Sequence, residues 1–222
     1  MRYSSLGLAA TGLALTGCND VLEEIFQNQG NTPATQVNVG RGDFGILNYA
    51  YALEQLEAAF YASVLLGSYY ASASAAERQI LQDIEGHERL HRDFLKQAIQ
   101  ALGGTPIRLL LPNFTAINFA NRDSVLGAAK AFEDLGVAAY NGAGKLIANA
   151  DYLTLAGKIV SVEARHAALI RDLLQIGTFV GPDVVDLRTG LELSQTPAQV
   201  VLTANQFLLP GSKLNVANLP TS

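Results

Sequence analysis

Two of the protein's three histidines follow a glutamate by three residues: Glu88 with His91, and Glu163 with His166. On a helix, that spacing leaves the two side chains about 60° apart, so each pair looks one way and can grip one ion from one face. Ile84 and Leu95 flank the first pair at helical spacing, and Ile159 and Ile170 flank the second, which puts both pairs on apolar faces. Carboxylates in a core are costly unless they are paired or coordinate metal. Two further carboxylates match. Leu53 precedes Glu54 and Tyr61 follows it by seven residues, while Phe132 precedes Glu133 and Tyr140 follows it by seven. Four carboxylates and two neutral imidazoles carry a charge that two divalent ions offset, so the chemistry on offer is that of a dinuclear metal site.

A competing motif overlaps the first pair. His87-Glu88-Arg89-Leu90-His91 fits H-E-x-x-H, in which two histidines one turn apart bind zinc and the glutamate activates water. Against a zinc protease, no H-x-x-G-x-x-H extension follows, the next glutamate is Glu133, and no substrate-presenting strand reads upstream. The second pair has Val162 where His87 would recur. The repeat therefore selects Glu88 and His91 and leaves His87 at the edge, as a residue that could steady a ligand from behind. Glu57, one turn after Glu54, also faces inward, so either could serve as the ligand; the tyrosine spacing favours Glu54. Tyr61 and Tyr140 read either as core aromatics with hydrogen-bonded hydroxyls or as donors of a hydrogen bond or an electron beside the metals. Arg89 and Arg165, turned off the ligand face, read as surface charges. Solvated helix faces, or core polar groups that satisfy one another without metal, are the plain alternative for the whole set.

Helices must position these residues, and four long ones are legible. The first spans residues 43–70, with Ile46, Leu47, Ala50, Leu53, Phe60, Val64 and Leu65 at three- and four-residue spacing, which reads as amphipathic. The second opens on Ser74 and Glu77 in the form of a capping box and stops at Gly103-Gly104. Residues 105–122 hold two prolines and no clean period, so they read as a long crossover. The third helix is capped by Asn121 or Asp123 and fades near Asn149; the fourth runs from about Asp151 to Ile176. A short link, a long crossover and a short link describe a bundle of two antiparallel hairpins. The fold class is all-α, a four-helix bundle with a C-terminal extension. That extension, residues 178–222, has four prolines and one helical stretch capped by Thr196 with Pro197 in its first turn, and is expected to pack on the bundle. No segment alternates well enough for a large sheet.

Composition narrows the classes further. The 222 residues are 49% hydrophobic and 16% charged, which describes a globular chain. Lys+Arg 15 against Asp+Glu 20 leaves no basic surplus, so nucleic acid is excluded as a partner. A single cysteine excludes a disulfide framework and a thiolate zinc cluster. It stands at Cys18, after a short positive start at Met1-Arg2 and an apolar run over residues 6–15 that is too short to span a bilayer. Leu15-Thr16-Gly17-Cys18 resembles the bacterial lipoprotein signal, in which the cysteine becomes the lipid-bearing N-terminus; a plain signal peptide with an incidental cysteine is the alternative. The expected organisation is a signal over residues 1–17, a tether or surface-hugging arm over 18–42, the bundle over 43–177 and the extension over 178–222. The expected location is the bacterial envelope, outside the cytoplasm, with the membrane as partner through the lipid anchor.

The stretches LEQLEAAFY, HERLHRDFLKQAIQALGGTP, FEDLGVAAY and VEARHAALIRDLL resemble the ferritin-like superfamily of carboxylate-bridged di-metal proteins, and within it the exported branch described as ferritin-like or desiccation-related. The resemblance implies Glu54, Glu88, His91, Glu133, Glu163 and His166 as ligands, with Glu88 and Glu133 or Glu163 as bridges. It implies two divalent ions, iron first and manganese second, and one of several activities: oxidation of Fe(II), handling of peroxide or dioxygen, or iron storage. The lipoprotein-like start and proline-rich tail are unlike a storage cage. A structural or stress-protective bundle without metal chemistry is the rival from another class.

Overall fold

The computed structural model describes residues 36–221. Its four long helices are α1 (Gly42–Leu66), α3 (Ala75–Ala101), α4 (Arg122–Gly144) and α5 (Ala150–Leu174), with a single-turn helix α2 (Ser68–Ser72) after α1 and a short α6 (Pro197–Ala204) near the C-terminus. Helix α1 lies along α3, and α4 along α5, so the two hairpins form a four-helix bundle. Contacts of Glu54 with Tyr140 and of Tyr61 with Glu133 run in opposite order along α1 and α4, so the two hairpins cross with these helices antiparallel. Among the described residues, strand structure is confined to four two-residue segments in two small sheets. No helix there is long and apolar enough to cross a membrane.

Helix α1 departs from the amphipathic expectation. Every residue from Gly45 to Ala62 is buried, polar ones included. The reason is a second layer over its outer face. Asn48 donates its side-chain amide to the Thr105 carbonyl and accepts from the Ile107 amide, and Gln55 accepts from the Leu110 amide. These two side chains satisfy backbone groups of the crossover, residues 102–121, which has no ladder of its own. A sequence window cannot distinguish a polar residue facing water from one facing another loop's peptide groups. The first helix also stops earlier than its apolar spacing suggests. It breaks at Gly67, where a Cβ would lie 2.5 Å from the Phe119 carbonyl oxygen, and α2 follows as a separate turn.

The helix starts follow their caps. Ser74, Asn121, Asn149 and Thr196 accept hydrogen bonds from the first turns of α3, α4, α5 and α6. At α3 the capping box is only half made. Ser74 accepts from the Glu77 amide, but the Glu77 carboxylate is drawn to Tyr69 and Arg122 instead of returning to the cap backbone. A charged guanidinium and a phenol outbid a peptide amide for that carboxylate. At α6 both halves of a Thr196–Gln199 box are present.

The C-terminal extension is docked. Gln195 donates its amide to the Ala138 carbonyl and lies so close to α4 that a Cβ on Gly142 would sit 1.8 Å from the Gln195 carbonyl oxygen. Pro112 and Leu208 form a bridge between the crossover and the extension. Arg171 on α5, almost fully buried, makes a two-pronged contact with Asp134 on α4 and reaches Asp183 in the extension. The end of the segment read as a tether or arm lies against the body too: Val37–Asn38 pairs in parallel with Leu214–Asn215, and Val37 and Val39 are buried. Cys18, the signal and the rest of the arm lie outside the described residues.

Candidate metal centre

The six side chains singled out by type and spacing meet midway along the bundle, one carboxylate from α1, one from α4, and a Glu/His pair from each of α3 and α5. Glu54, Glu88, Glu133 and Glu163 are completely buried, His166 nearly so, and His91 keeps its side chain 15% exposed. They form two overlapping groups, each with ligand-type atoms within 4.8 Å of one another: Glu54, Glu88, His91 and Glu163, and Glu88, Glu133, Glu163 and His166. Glu88 and Glu163 belong to both. Each turns one oxygen to each group: Glu163 Oε1 lies 2.8 Å from His91 Nδ1 and its Oε2 lies 3.7 Å from His166 Nδ1. Glu88 Oε1 lies 2.7 Å from His166 Nδ1 and its Oε2 lies 3.8 Å from His91 Nδ1. Glu54 and Glu133 each stand at one end.

The tyrosines complete the ends, but not as spacing along one helix suggests. Tyr140 on α4 donates to Glu54 Oε1 on α1 at 2.5 Å, and Tyr61 on α1 donates to Glu133 Oε1 on α4 at 2.5 Å. Seven residues of helix rise about 10 Å, so the glutamate of the same helix lies two turns away from each tyrosine. The antiparallel crossing brings each to the glutamate of the other hairpin. Those two oxygens are thereby occupied. Every other carboxylate oxygen of the cluster, and both histidine Nδ1 atoms, are buried without an aligned hydrogen-bond partner. Close but misaligned donors and acceptors of this kind, mixing carboxylate and imidazole, fit a metal ion better than they fit each other.

The electrostatics are those of charge forced into a core. Burial pulls the His91 and His166 pKa values down, but the carboxylates facing them prevail and hold both at about 12. Burial raises Glu163, yet the two imidazoles outweigh it and bring its carboxyl down to about 2. The remaining acids go the other way. Burial lifts Glu133 to about 7, and burial followed by the charge of Glu163 raises Glu54 and Glu88. Without metal, the cluster balances itself with protons: two imidazolium ions, and carboxyls that resist ionising.

His87 lies outside both groups. Its Nδ1 is 2.9 Å from His166 Nε2, and the two rings stack. It therefore steadies a histidine of the other hairpin, and H-E-x-x-H does not converge on one ion. Glu57 is buried but belongs to neither group; burial and then the charges of Glu163 and Glu88 raise its pKa well above the ordinary carboxyl range. It lies over Gly136, where a Cβ would come within 3.0 Å of Glu57 Oε1. Position 136 holds the same place after Glu133 that Glu57 holds after Glu54, so glycine in one repeat makes room for glutamate in the other. That signal was legible in the paired motifs. Glu85, buried on α3 one turn before Arg89 and 3.7 Å from its guanidinium, was not singled out by spacing, and Arg89 is only partly exposed as a result.

Comparison with known families finds that residues 42–176 match the family described as ferritin-like domain. No curated protein matches the chain.

At neutral pH both imidazoles hold protons in the metal-free protein, because their folded pKa values lie far above 7. An entering ion must displace them, so affinity rises with pH and protons are released on binding. Calorimetric titration with a divalent metal in buffers of different protonation enthalpy measures this; a pH-independent affinity between about pH 6 and 8 with no proton release contradicts the assignment. Glu57→Gln replaces a carboxyl that burial and the charges of Glu163 and Glu88 make reluctant to ionise with a near-isostere. It is expected to keep the thermal midpoint and the metal content, whereas Glu54→Gln loses metal; equal losses in both would make Glu57 a ligand.

Proposed function

Since the chain belongs to the ferritin-like domain family, we propose that it binds two divalent metal ions, iron first and manganese second, and oxidises Fe(II) with dioxygen or hydrogen peroxide. The observation that carries this reading is the pair of overlapping groups that share Glu88 and Glu163, with each oxygen not taken by a tyrosine left unsatisfied. Glu54 and His91 would hold one ion, Glu133 and His166 the other, and Glu88 and Glu163 would bridge them. Two ferrous ions so held would supply two electrons to dioxygen, giving hydrogen peroxide with two protons, or to hydrogen peroxide, giving two waters with two protons.

The chain's own residues prepare that chemistry. Burial of the four carboxylates removes competing water and strengthens their hold on a cation. Tyr61 and Tyr140 each fix one carboxylate oxygen, so Glu54 and Glu133 present the other inward. Burial, then the neighbouring glutamate charge, pushes both phenols well above their ordinary pKa, so they remain protonated donors. His87 steadies the His166 ring from behind.

The rival reading, a structural or stress-protective bundle, is supported by the direction of the site's electrostatics: against burial the facing carboxylates raise both imidazoles, while burial raises Glu54, Glu88 and Glu133, so protons offer the cluster a charge balance other than metal. Metal analysis of protein purified without chelators, then anaerobic Fe(II) loading and an oxygen pulse, separates the two. The expected result is about two equivalents of metal and oxygen consumption, both lost in Glu88→Ala and Glu163→Ala. Tyr61→Phe and Tyr140→Phe are expected to fold and to lower metal affinity or activity by about 10- to 100-fold. Less than one equivalent, unchanged in the alanine variants, sinks the dinuclear reading; tight binding without oxygen consumption supports the rival.

We further propose that the protein works in the bacterial envelope as a lipid-anchored member of the exported, desiccation-related branch. Support comes from the sequence around Cys18 and the apolar run before it. Cys18→Ser is expected to move the protein from the membrane fraction to the soluble one; unchanged membrane association refutes the anchor.

A further inference from the structure

The two ends of the bundle are filled differently. Beyond Glu133, the core is closed by aromatic rings: Phe132 lies 4.9 Å from Phe60 and 4.7 Å from Phe207 between centroids, and Phe60 lies 5.9 Å from Phe114. Beyond Glu54, the repeat-related position to Phe132 is Leu53, and there the helices leave a cavity of about 30 Å³. All four long helices contribute to its wall at this end, through Ala50 and Leu53 of α1, Leu95 of α3, Tyr140 of α4, and Ala156 and Ile159 of α5.

Its inner wall is built from neighbours of the candidate ligands. Leu53 adjoins Glu54 in sequence, and Tyr140 donates to Glu54. Leu95 follows His91 by one helical turn, and Ile159 precedes Glu163 by one turn, on the faces those ligands share. The outer wall includes Phe94 and Leu102, which are 43% and 41% exposed. A chain of apolar side chains thus runs from the surface to the Glu54 and His91 side of the cluster.

Size and polarity select the occupant. Pockets for organic ligands run to about 300–1,000 Å³, and this cavity holds a molecule of a few atoms. The Tyr140 hydroxyl in its wall is spent on Glu54, and Tyr49 contributes a buried hydroxyl without a partner. One such group cannot satisfy both hydroxyls of hydrogen peroxide, whose transfer into an apolar space is costly. Dioxygen carries no hydrogen-bonding group and enters without that cost.

We propose that this cavity admits dioxygen to the metal centre from the end of the bundle where α1 begins and α3 ends. The proposal rests on the metal-oxidation reading above and names its oxidant: two Fe(II) give up one electron each, and O₂ with two protons leaves as H₂O₂. Peroxide, needing a polar path, is expected to reach the cluster by the His91 edge, where that side chain is 15% exposed.

Xenon is the probe. A crystal of the metal-free protein under xenon pressure is expected to show one xenon atom between Ala50, Leu53, Leu95 and Ile159; an empty cavity overturns the proposal. Ala50→Leu and Ala156→Leu fill the space from two different helices, so that if one fails to fold the other still reports. Each is expected to abolish the xenon site and to slow dioxygen-driven oxidation of bound Fe(II) roughly tenfold while leaving peroxide-driven oxidation unchanged. A well-folded variant that slows neither oxidant, or both equally, overturns the route while the metal centre stands. Absence of Fe(II) oxidation by either oxidant in the unaltered protein overturns the metal-oxidation reading and the route with it, and is told apart by occurring without any substitution.

Discussion

Four glutamates buried at the centre of a helical bundle set the terms for the rest of the molecule. Each carboxylate removed from water must find a counter-charge or a proton, and two imidazoles cannot neutralise four anions. The metal-free cluster resolves this by drawing charge onto Glu163 and the two histidines and keeping the other acids reluctant to ionise. The same arrangement is open to divalent cations, because its unsatisfied oxygens and Nδ1 atoms already point at one another across a few ångströms.

The bundle is organised to sustain that burial. Helix α1 would expose polar residues if the hairpins stood alone, but the crossover lays its backbone against Asn48 and Gln55 and seals that face. The extension closes over α4, with Gly142 allowing the approach of Gln195 and Arg171 tying Asp134 to Asp183. The tyrosines do a related task across the hairpins: each couples the carboxylate of one to the helix of the other, so the ends of the cluster hold together only when both hairpins are docked.

The two-fold repetition of the hairpins is imperfect in ways that matter chemically. Glu57 fills the place opposite Gly136, so one side of the cluster carries a fifth buried acid that the other lacks. Phe132 closes one end, where Leu53 leaves space at the other. His87 supports His166, while Val162 stands at the corresponding place beside the second pair. The two halves of the site are therefore inequivalent in packing, in nearby acids and in support, although their six inner side chains repeat.

The helical class, the hairpin order and the six inward side chains were legible in one dimension, because a helix converts spacing into direction: Glu and His three residues apart must share a face wherever the helix lies. Apolar neighbours at the same period told which face would be inside. Spacing carries no information about what lies across from that face. The repeat favoured Glu54 over Glu57, but the sequence could not say that Tyr61 serves Glu133 and Tyr140 serves Glu54, or that His87 turns to His166 instead of completing H-E-x-x-H. Those choices depend on the antiparallel crossing of α1 and α4 and on the fit of one hairpin against the other, and side chains far apart in the chain acquire partners only when the helices pack.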